Sequence, residues 1–383
     1  MSTPGTPRAA LVAGEASGDL LAGLLLQGMR QRWAGLQSGG IGGPQMARHG
    51  FEPWWPYEKL AVRGYAEVLR HYREIVGIRD QLRERLLKDK PDLFIGVDAP
   101  DFNLALEQDL RTAGIKTVHF VCPSIWAWRM KRVEKLKRSC DHVLCIFPFE
   151  PELLARHGVE ATYVGHPLAQ VIPMEPDQAA ARAALGLPEQ GEVIALLPGS
   201  RASEIEAMTP RFLEAAALMQ QQKPQAWFVL PAMPALQARI GEIAQRCTPV
   251  RNLKIVTGQS HAVLAACDVT LVASGTATLE AALFKRPMVI AYHTHWLTYA
   301  LMKPRHLQPW VGLPNILAGD FVVPELLQSN AKPDLLAGAV LDWLASPERM
   351  RTVQETFRGL HAQLLRDTPT LAADAIEKVL ARP

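Results

Sequence analysis

Two segments in the second half of this chain share one pattern: an apolar run of strand length, a turn of glycine and hydroxyl residues, and a helical stretch. They cover residues 193–208 and 269–283. The length of each apolar run favours a strand, and the residues after each turn favour a helix. A strand that passes through a short turn into a helix is the repeating unit of a parallel sheet. The pattern therefore predicts an α/β architecture for this half of the chain.

Both turns also have the features of an anion site. The first N–H groups of a helix carry the positive end of its dipole, which suits phosphate. The first turn contains Gly199, Ser200 and Arg201, whose guanidinium can hold a diphosphate at two points. Glu280 follows the second turn, and its carboxylate can accept hydrogen bonds from two ribose hydroxyls. One such turn fits an ordinary capped helix, but two in adjacent βα units favour a nucleotide site.

Two common nucleotide motifs are missing from the sequence. It contains neither the phosphate loop G-x-x-x-x-G-K-[ST] nor the dinucleotide fingerprint G-x-G-x-x-G. A sugar nucleotide is therefore the favoured ligand.

Composition excludes several classes of protein. A formal net charge of +3 and a pI near 8.6 are too mild to indicate nucleic acid as a partner. The five cysteines are scattered without C-x-x-C spacing, which predicts neither a disulfide framework nor a zinc site. The sequence shows no signal-peptide core and no apolar run near the ~18 to 20 residues of a membrane span. We therefore expect a cytoplasmic protein whose membrane contact is peripheral.

The 383 residues are too many for one ordinary domain. The sequence contains two series of short apolar strands, each with helical stretches between its strands. The first series runs from residue 8 to about residue 165, and the second opens at Val193. The proline-rich residues 167–192 between them suit a linker. The expected parts are an N-terminal Rossmann-like domain over 1–170, a C-terminal Rossmann-like domain over 171–345, and helices over 346–383 that pack back on the first domain or swap between chains.

Polar residues follow two strands of the first series, where ligands of open α/β sheets bind. After residues 9–13 and 93–97 come Glu15, Ser17, Asp19, Asp98, Asp101 and Asn103. A carboxylate in this place can take a proton from an attacking hydroxyl, and Asp98 is favoured because it is nearest to its strand. The alternative for each group is a capped helix without a substrate.

Three stretches combine tryptophan with basic residues. They are residues 54–57 with 62–78, residues 122–138 and residues 295–310. Such a run is usually a solvated helix face, but tryptophan beside clustered cations also suits an anionic membrane surface. Three of them favour a lipid-bearing substrate. His166, His293 and His295 lack the spacing of ligands, so no metal site is predicted.

These motifs together resemble the lipid-A-disaccharide synthase family of inverting glycosyltransferases over nearly the whole chain. That family has the GT-B fold, two Rossmann-like domains with parallel sheets that face each other across a cleft. The resemblance rests on residues 14–19 (GEASGD), 40–44 (GIGGP), 97–103 (VDAPDFN), 123–128 (PSIWAW), 164–167 (VGHP), 197–201 (LPGSR), 273–280 (ASGTATLE) and 313–317 (LPNIL).

The resemblance implies a reaction and roles for named residues. The donor would be UDP-2,3-diacylglucosamine and the acceptor 2,3-diacylglucosamine 1-phosphate, joined by a β(1→6) bond with release of UDP and without a cofactor or metal. Asp98 matches the proposed base of the family, and Arg201 lies in its phosphate turn. The predicted catalytic residues are Asp98, Glu15 and Arg201, and the predicted substrate-binding residues are Ser17, Asp19, Asp101, Asn103, Gly199, Ser200, Glu204, Ser274, Gly275, Thr276, Glu280 and Asn315.

Two other classes stay open on sequence alone. A UDP-sugar epimerase or hydrolase on the same scaffold would use the same turns but needs no acyl-chain surface. A non-catalytic lipid-binding protein would explain the tryptophan-rich stretches but not the paired turns. We expect the protein at the inner face of the inner membrane, and a homodimer is compatible with terminal helices that can reach a neighbouring chain.

Overall fold

The computed structural model describes residues 6–60, 65–128, 132–293 and 309–382. The chain divides into two compact units, each built on one parallel sheet. Unit 1 comprises residues 1–167 and 364–383, and unit 2 comprises residues 168–363.

The sheet of unit 1 has seven described strands in the order β3-β2-β1-β4-β5-β6-β7, and every pairing is parallel. The strands are β1 (Arg8–Ala13), β2 (Gln37–Gly42), β3 (Glu52–Pro56), β4 (Leu93–Val97), β5 (Lys116–Phe120), β6 (His142–Cys145) and β7 (Ala161–Tyr163).

The sheet of unit 2 has six described strands in the order β10-β9-β8-β11-β12-β13, again all parallel. They are β8 (Val193–Leu197), β9 (Trp227–Ala232), β10 (Leu253–Thr257), β11 (Val269–Ala273), β12 (Met288–Tyr292) and β13 (Glu325–Leu327).

Helices connect the parallel strands, because a parallel neighbour can be reached only by a crossover. In chain order the described helices are α1 (Ala16–Arg32), α2 (Pro44–Ala47), α3 (Tyr65–Asp89), α4 (Pro100–Thr112), α5 (Ile125–Trp128), α6 (Arg132–Ser139), α7 (Glu150–Ala155), α8 (Pro167–Val171), α9 (Gln178–Ala184), α10 (Ala202–Gln222), α11 (Gln237–Ala244), α12 (Ser260–Ala266), α13 (Thr276–Leu283), α14 (Leu313–Ala318), α15 (Pro333–Leu344), α16 (Pro347–Leu364) and α17 (Thr368–Leu380). Short 3₁₀ helices cover Tyr57–Lys59, Pro234–Leu236 and Gln328–Asn330.

The predicted parallel α/β architecture of both halves is confirmed. Every residue of β4, β8 and β11 is buried, as expected for central strands that helices cover on both faces. Three strands were not predicted. β2 is rich in glycine, β3 contains two prolines, and β13 is only three residues long. The last two lie at sheet edges, where proline and short length are tolerated.

Each sheet has one point at which the strand order reverses direction. In unit 1 the chain moves outward in one direction from β1 and in the other from β4, and these two strands are neighbours. In unit 2 the equivalent neighbours are β8 and β11. The crossovers on the two sides of such a point diverge, which leaves a crevice at the carboxyl ends of the two strands where ligands bind.

The C-terminal helix α17 packs against α1 in unit 1. The helices approach so closely at Gly28 that a Cβ there would lie 2.0 Å from the Pro369 carbonyl oxygen. Arg32 forms ion pairs with Asp374 and Glu377 beside this crossing. The backbone contact therefore requires glycine at position 28.

We expect Gly28→Ala to destabilise the protein, because the methyl group forces α17 away from α1. Overpacking of this kind costs about 1–3 kcal/mol, more than the ~1 kcal/mol that alanine gains over glycine inside a helix. Gly77→Ala in α3 is the matched control, since nothing lies within 4 Å of a Cβ there. Thermal unfolding should show a lower Tm for Gly28→Ala and an equal or higher Tm for Gly77→Ala. Equal Tm values for the two variants would contradict the close packing of α17.

Candidate functional site

The turn between β8 and α10 depends on Gly199. Its φ of 122° is a conformation that residues with a side chain rarely adopt, and a Cβ would lie 2.5 Å from Oε2 of Glu204. The glycine therefore lets the Glu204 side chain fold back over the turn. Arg201, the N-cap of α10, keeps 75% of its side chain exposed.

Glu204 holds this turn in place. Its Oε2 accepts hydrogen bonds from the backbone N–H groups of Ser200 at 3.0 Å and Arg201 at 3.2 Å. Nη1 of Arg201 donates to Oε1 of the same carboxylate at 2.8 Å. The sequence predicts that backbone N–H groups of this turn face a phosphate. In this structure the N–H groups of Ser200 and Arg201 are bonded to Glu204 instead. Glu204 acts here as the capping partner of α10, and its predicted contact with substrate stays a prediction.

The second turn leaves its backbone accessible. Gly275 is the N-cap of α13, with φ 157° and ψ −164°, and nothing lies within 4 Å of a Cβ built on it. Ser274 donates its N–H to the Ala291 carbonyl, which continues the pairing with β12 for one residue. Thr278 Oγ1 donates to the Gly275 carbonyl at 2.7 Å. The start of α13 is therefore fixed and open to a ligand on the side of Gly275.

Glu280 lies one turn into α13 and is 20% exposed. Its Oε2 is 3.3 Å from Nε2 of His261 at the start of α12. The His261 ring packs edge-on against Phe284, with ring centroids 5.3 Å apart. Two neighbouring side chains therefore fix the histidine beside the carboxylate. Sequence analysis missed His261 because nothing in its local pattern shows that α12 and α13 are adjacent.

Both turns line one cavity of about 350 Å³ within unit 2. It lies at the carboxyl ends of β8 and β11, the point at which the strand order reverses. Polar and charged groups from the two turns converge there, as a sugar nucleotide requires. The lining residues are Leu197, Gly199, Ser200, Arg201, Glu204, Pro231, Ala232, Met233, Gly258, Ser260, Ala273, Ser274, Gly275, Thr276, Ala277 and Glu280.

The corresponding point in unit 1 brings two predicted groups together. A Cβ on Gly14, after β1, would lie 3.5 Å from Cβ of Ala99, after β4. Glu15 and Ser17, at the start of α1, and Asp98, between β4 and α4, are all exposed. The predicted acceptor residues thus follow adjacent strand ends and face solvent.

Asp98 lies in a strained turn. Asp98 and Ala99 have φ values of 50° and 43°, so two consecutive residues other than glycine are left-handed. The Asp98 N–H donates to the Phe120 carbonyl at 2.8 Å. Strained backbone of this kind clusters at functional sites.

The two other polar residues after β4 differ in exposure. The Asp101 side chain is 85% exposed and pairs with Arg132 at 2.8 Å. Asn103 is fully buried, and its Nδ2 donates to the Asp98 carbonyl at 2.8 Å. Asn103 therefore supports the turn from inside, in contrast to the direct substrate contact predicted from the sequence.

Two more predicted substrate-binding residues prove to be interior. Asp19 is 2% exposed, and its carboxylate accepts the N–H groups of Gly43, Gln45 and Met46, which caps α2. Asn315 is fully buried, and its amide exchanges four hydrogen bonds with Val322, Val323 and Glu325. Both polar groups are used inside the protein in this structure, and their predicted contact with substrate stays a prediction. A buried polar side chain needs partners, and these two find theirs inside the protein.

The predicted membrane surface over residues 122–138 is also corrected in part. Trp126 is only 6% exposed, packs edge-on against Phe149 and donates Nε1–H to Glu150. It is an interior anchor, because its indole N–H has a buried acceptor. The burial of Glu150 raises its pKa to about 8.

Most of the tryptophan-rich stretch at residues 295–310 lies outside the described residues, as does His295. In the stretch that begins at residue 54, Trp54 packs on the core of unit 1 beneath the Arg85 guanidinium, 3.7 Å from the ring centroid. No helix in the described ranges is both long and apolar enough to span a bilayer.

The histidines show no metal-binding arrangement in the described part of the chain. Burial lowers the pKa of His166 to about 4 and also lowers the pKa of His293. Among the described residues, no three side chains of His, Cys, Asp or Glu group as a metal site.

Structural comparison finds several proteins with a similar fold at low sequence identity, which concerns the fold alone. A putative UDP-N-acetylglucosamine 2-epimerase from Listeria monocytogenes has a TM-score of 0.64 at 13% identity, covering 97% of this chain and 95% of that chain. An Anabaena protein in complex with UDP-glucose has a TM-score of 0.61 at 13% identity, covering 97% and 100%. The calicheamicin glycosyltransferase CalG4 has a TM-score of 0.60 at 18% identity, covering 99% of each chain.

Sequence comparison is far more specific. The family model for lipid-A-disaccharide synthetase matches residues 9–377. A lipid-A-disaccharide synthase from Albidiferax ferrireducens is 64% identical over 376 residues, 97% of each chain. One from Verminephrobacter eiseniae is 60% identical over 379 residues, 98% of this chain and 97% of the relative. This chain, with its two parallel α/β sheets, therefore belongs to the lipid-A-disaccharide synthetase family of glycosyltransferases.

Proposed function

We propose that the protein transfers 2,3-diacylglucosamine from its UDP conjugate to the 6-hydroxyl of 2,3-diacylglucosamine 1-phosphate. The products are a β(1→6)-linked disaccharide 1-phosphate and UDP. The observation that carries the proposal is the cavity in unit 2 that Arg201, the Gly275 turn and Glu280 line together. This set offers a cation, helix N–H groups and a carboxylate to one elongated ligand.

The donor is proposed to bind along this cavity. Its diphosphate would lie at the start of α13, near Gly275 and Thr276, and accept hydrogen bonds from Arg201. The exposed Arg201 side chain can turn toward a ligand while Glu204 keeps its backbone capped. The ribose hydroxyls would donate to Glu280, which His261 holds from behind.

Asp98 is proposed as the general base. It takes the proton of the acceptor 6-hydroxyl as that oxygen bonds to the anomeric carbon, on the face opposite UDP. The bond from that carbon to the diphosphate breaks in the same step, so the configuration inverts. Glu15 and Ser17 follow the neighbouring strand and are proposed to contact the acceptor, with Glu15 or Asp101 as the alternative base.

Electrostatic stabilisation of the leaving group is the second part of the mechanism. Negative charge builds on the diphosphate as its bond to the sugar breaks. The residue 274–276 turn would offer its N–H groups to this charge, and the exposed Arg201 side chain would turn toward it. A preorganised donor of this kind contributes about 3–4 kcal/mol to lowering the barrier.

Product analysis tests the proposed reaction. The purified protein is mixed with UDP-2,3-diacylglucosamine and 2,3-diacylglucosamine 1-phosphate, and the products are identified by mass spectrometry. We expect a disaccharide monophosphate and UDP in equal amounts. Free diacylglucosamine with UDP would instead indicate a hydrolase, an isomerised donor an epimerase, and unchanged substrates a non-catalytic binding protein.

Arg201→Ala should lower kcat/KM by roughly 10²- to 10³-fold, because it removes a donor that faces the leaving diphosphate. The matched control is Arg239→Ala, which removes an exposed arginine that pairs with Glu206 of α10 outside the cavity. Steady-state rates of the control should stay within threefold of the parent. If the two variants lose the same activity, the diphosphate role of Arg201 is wrong.

Asp98→Asn should keep UDP affinity and lower the single-turnover rate by roughly 10²- to 10⁴-fold, because the amide cannot accept the proton. Asparagine tolerates the left-handed turn, so the backbone is preserved. The control is Asp109→Asn on α4, the helix that follows Asp98; it loses only an exposed ion pair with Arg83 of α3 and should behave like the parent. A rate within tenfold of the parent for Asp98→Asn would exclude this residue as the base.

A lipid-bearing substrate also requires access to a membrane, and we propose peripheral binding to an anionic surface through residues 127–138 and 296–310. The exposed Lys137 and Arg138 on α6 support this.

Binding to anionic vesicles, measured by sedimentation, should weaken as salt rises, since the attraction is screened within about 8 Å at physiological ionic strength. Equal binding to neutral vesicles would remove the Coulombic part of the proposal.

A further inference from the structure

The strained turn at Asp98 needs a specific support. Left-handed backbone is unfavourable for residues other than glycine, and such strain persists only where the surroundings impose it. Asp98 and Ala99 are two such residues in succession. Since Asp98 faces solvent, the restraint must come from the buried side of the turn.

Asn103 supplies that restraint directly. It lies in the first turn of α4 and is fully buried. Its Nδ2 donates to the Asp98 carbonyl at 2.8 Å and approaches the Val97 carbonyl at 3.4 Å. The side chain thus ties the last peptide groups of β4 to the helix that follows.

A buried ionisable pair lies directly behind Asn103. Glu107 is one helical turn further along α4, and its Oε1 is 2.7 Å from Nδ1 of His119 on β5. Both side chains have no exposed surface. Gly96 on β4 makes room for them, because a Cβ there would lie 2.1 Å from Oε1 of Glu107 and 2.8 Å from Cβ of Asn103.

Stability does not account for this arrangement. Asn103 Oδ1, Glu107 Oε2 and His119 Nε2 are buried without a hydrogen-bond partner in the part of the chain that the structure describes. Burial raises the pKa of Glu107 against the opposing effect of His119. Apolar residues of similar volume in place of a buried ion pair are often as stable or more stable. Burying these three polar side chains therefore costs folding free energy, and a role other than stability must explain their presence.

We propose that Asn103, Glu107 and His119 form a buried polar strip that positions the Asp98 carboxylate for proton transfer. The strip fixes α4 against β4 and β5, Asn103 transmits that position to the turn, and the turn aims Asp98. Rates are sensitive to this, since a displacement of about 1 Å can cost 10²-fold. The inference rests on the proposed role of Asp98 as the base, and the three buried residues touch no substrate.

The test is a double-mutant cycle of Asn103→Ala with Asp98→Asn, read by single-turnover rate. In the parent background, Asn103→Ala should lower the rate by roughly 10- to 100-fold. In the Asp98→Asn background the same substitution should change the rate by less than threefold. The asparagine at position 98 cannot accept the proton, so displacing it removes no further base function. UDP affinity by calorimetry should stay within threefold of the parent throughout.

Further variants separate positioning from stability. Ser139→Ala is the matched control. Buried Ser139 on α6 donates at 2.7 Å to the carbonyl of Leu104 on α4, the helix that carries Asn103, without contacting the turn. It should lower Tm and leave the rate within threefold. Glu107→Leu should slow the reaction as Asn103→Ala does, whereas Glu107→Gln, which keeps an acceptor for His119, should restore most of the rate. If Asn103→Ala does not fold, Glu107→Leu is measured in both Asp98 backgrounds instead.

Each failure has its own signature. A parent-like rate for Asn103→Ala, or an equal loss in both Asp98 backgrounds, overturns the positioning role while the proposed base stands. If Ser139→Ala loses as much rate as Asn103→Ala, the effect comes from general packing of α4 and the positioning role of the strip is wrong. A parent-like rate for Asp98→Asn would instead remove the proposed base, and the positioning role with it.

Discussion

Parallel pairing of two central strands in each sheet determines where the candidate residues meet. In unit 2, β11 pairs with β8 from Val269 opposite Ile194 to Val272 opposite Leu197. The turns that follow therefore emerge side by side, and both helix starts point at one cavity. In unit 1, β1 pairs with β4 up to Ala13 opposite Val97, so the next residues of both segments are neighbours. Diverging crossovers leave these edges uncovered, which is where ligands of open α/β sheets bind.

The residues around each turn divide into those that are exposed to solvent and those that hold the turn. Arg201 and Asp98 are exposed. Glu204 and Asn103 are not, and they use their hydrogen bonds on the backbone of the turn itself. Preorganisation requires both kinds, because a catalytic group contributes fully only when its geometry is set before the substrate arrives. His261 holds Glu280 in a similar way.

Polar and aromatic residues near a site cannot be sorted into these classes from sequence. Aspartate after a strand predicts either a ligand contact or a cap. Asp98 is exposed in its turn, whereas Asp19 is buried and caps α2. Tryptophan among cations suggested a membrane surface, yet Trp126 is buried against Phe149 and hydrogen-bonded to Glu150. In each case the outcome depends on partners distant in sequence, which supply the hydrogen bonds that burial demands.

The sequence alone determined the parallel α/β class, the central strands and the two strand–turn–helix segments of unit 2, because apolar runs, glycine and helix starts are local signals. It could not reveal β3 or β13, whose pairing at a sheet edge depends on a neighbouring strand. Only the tertiary structure decided that Asn315 is interior and that Glu107 meets His119, since those contacts join segments separated along the chain. Local sequence determines where strands, turns and helices form, whereas tertiary packing determines which polar side chains stay exposed.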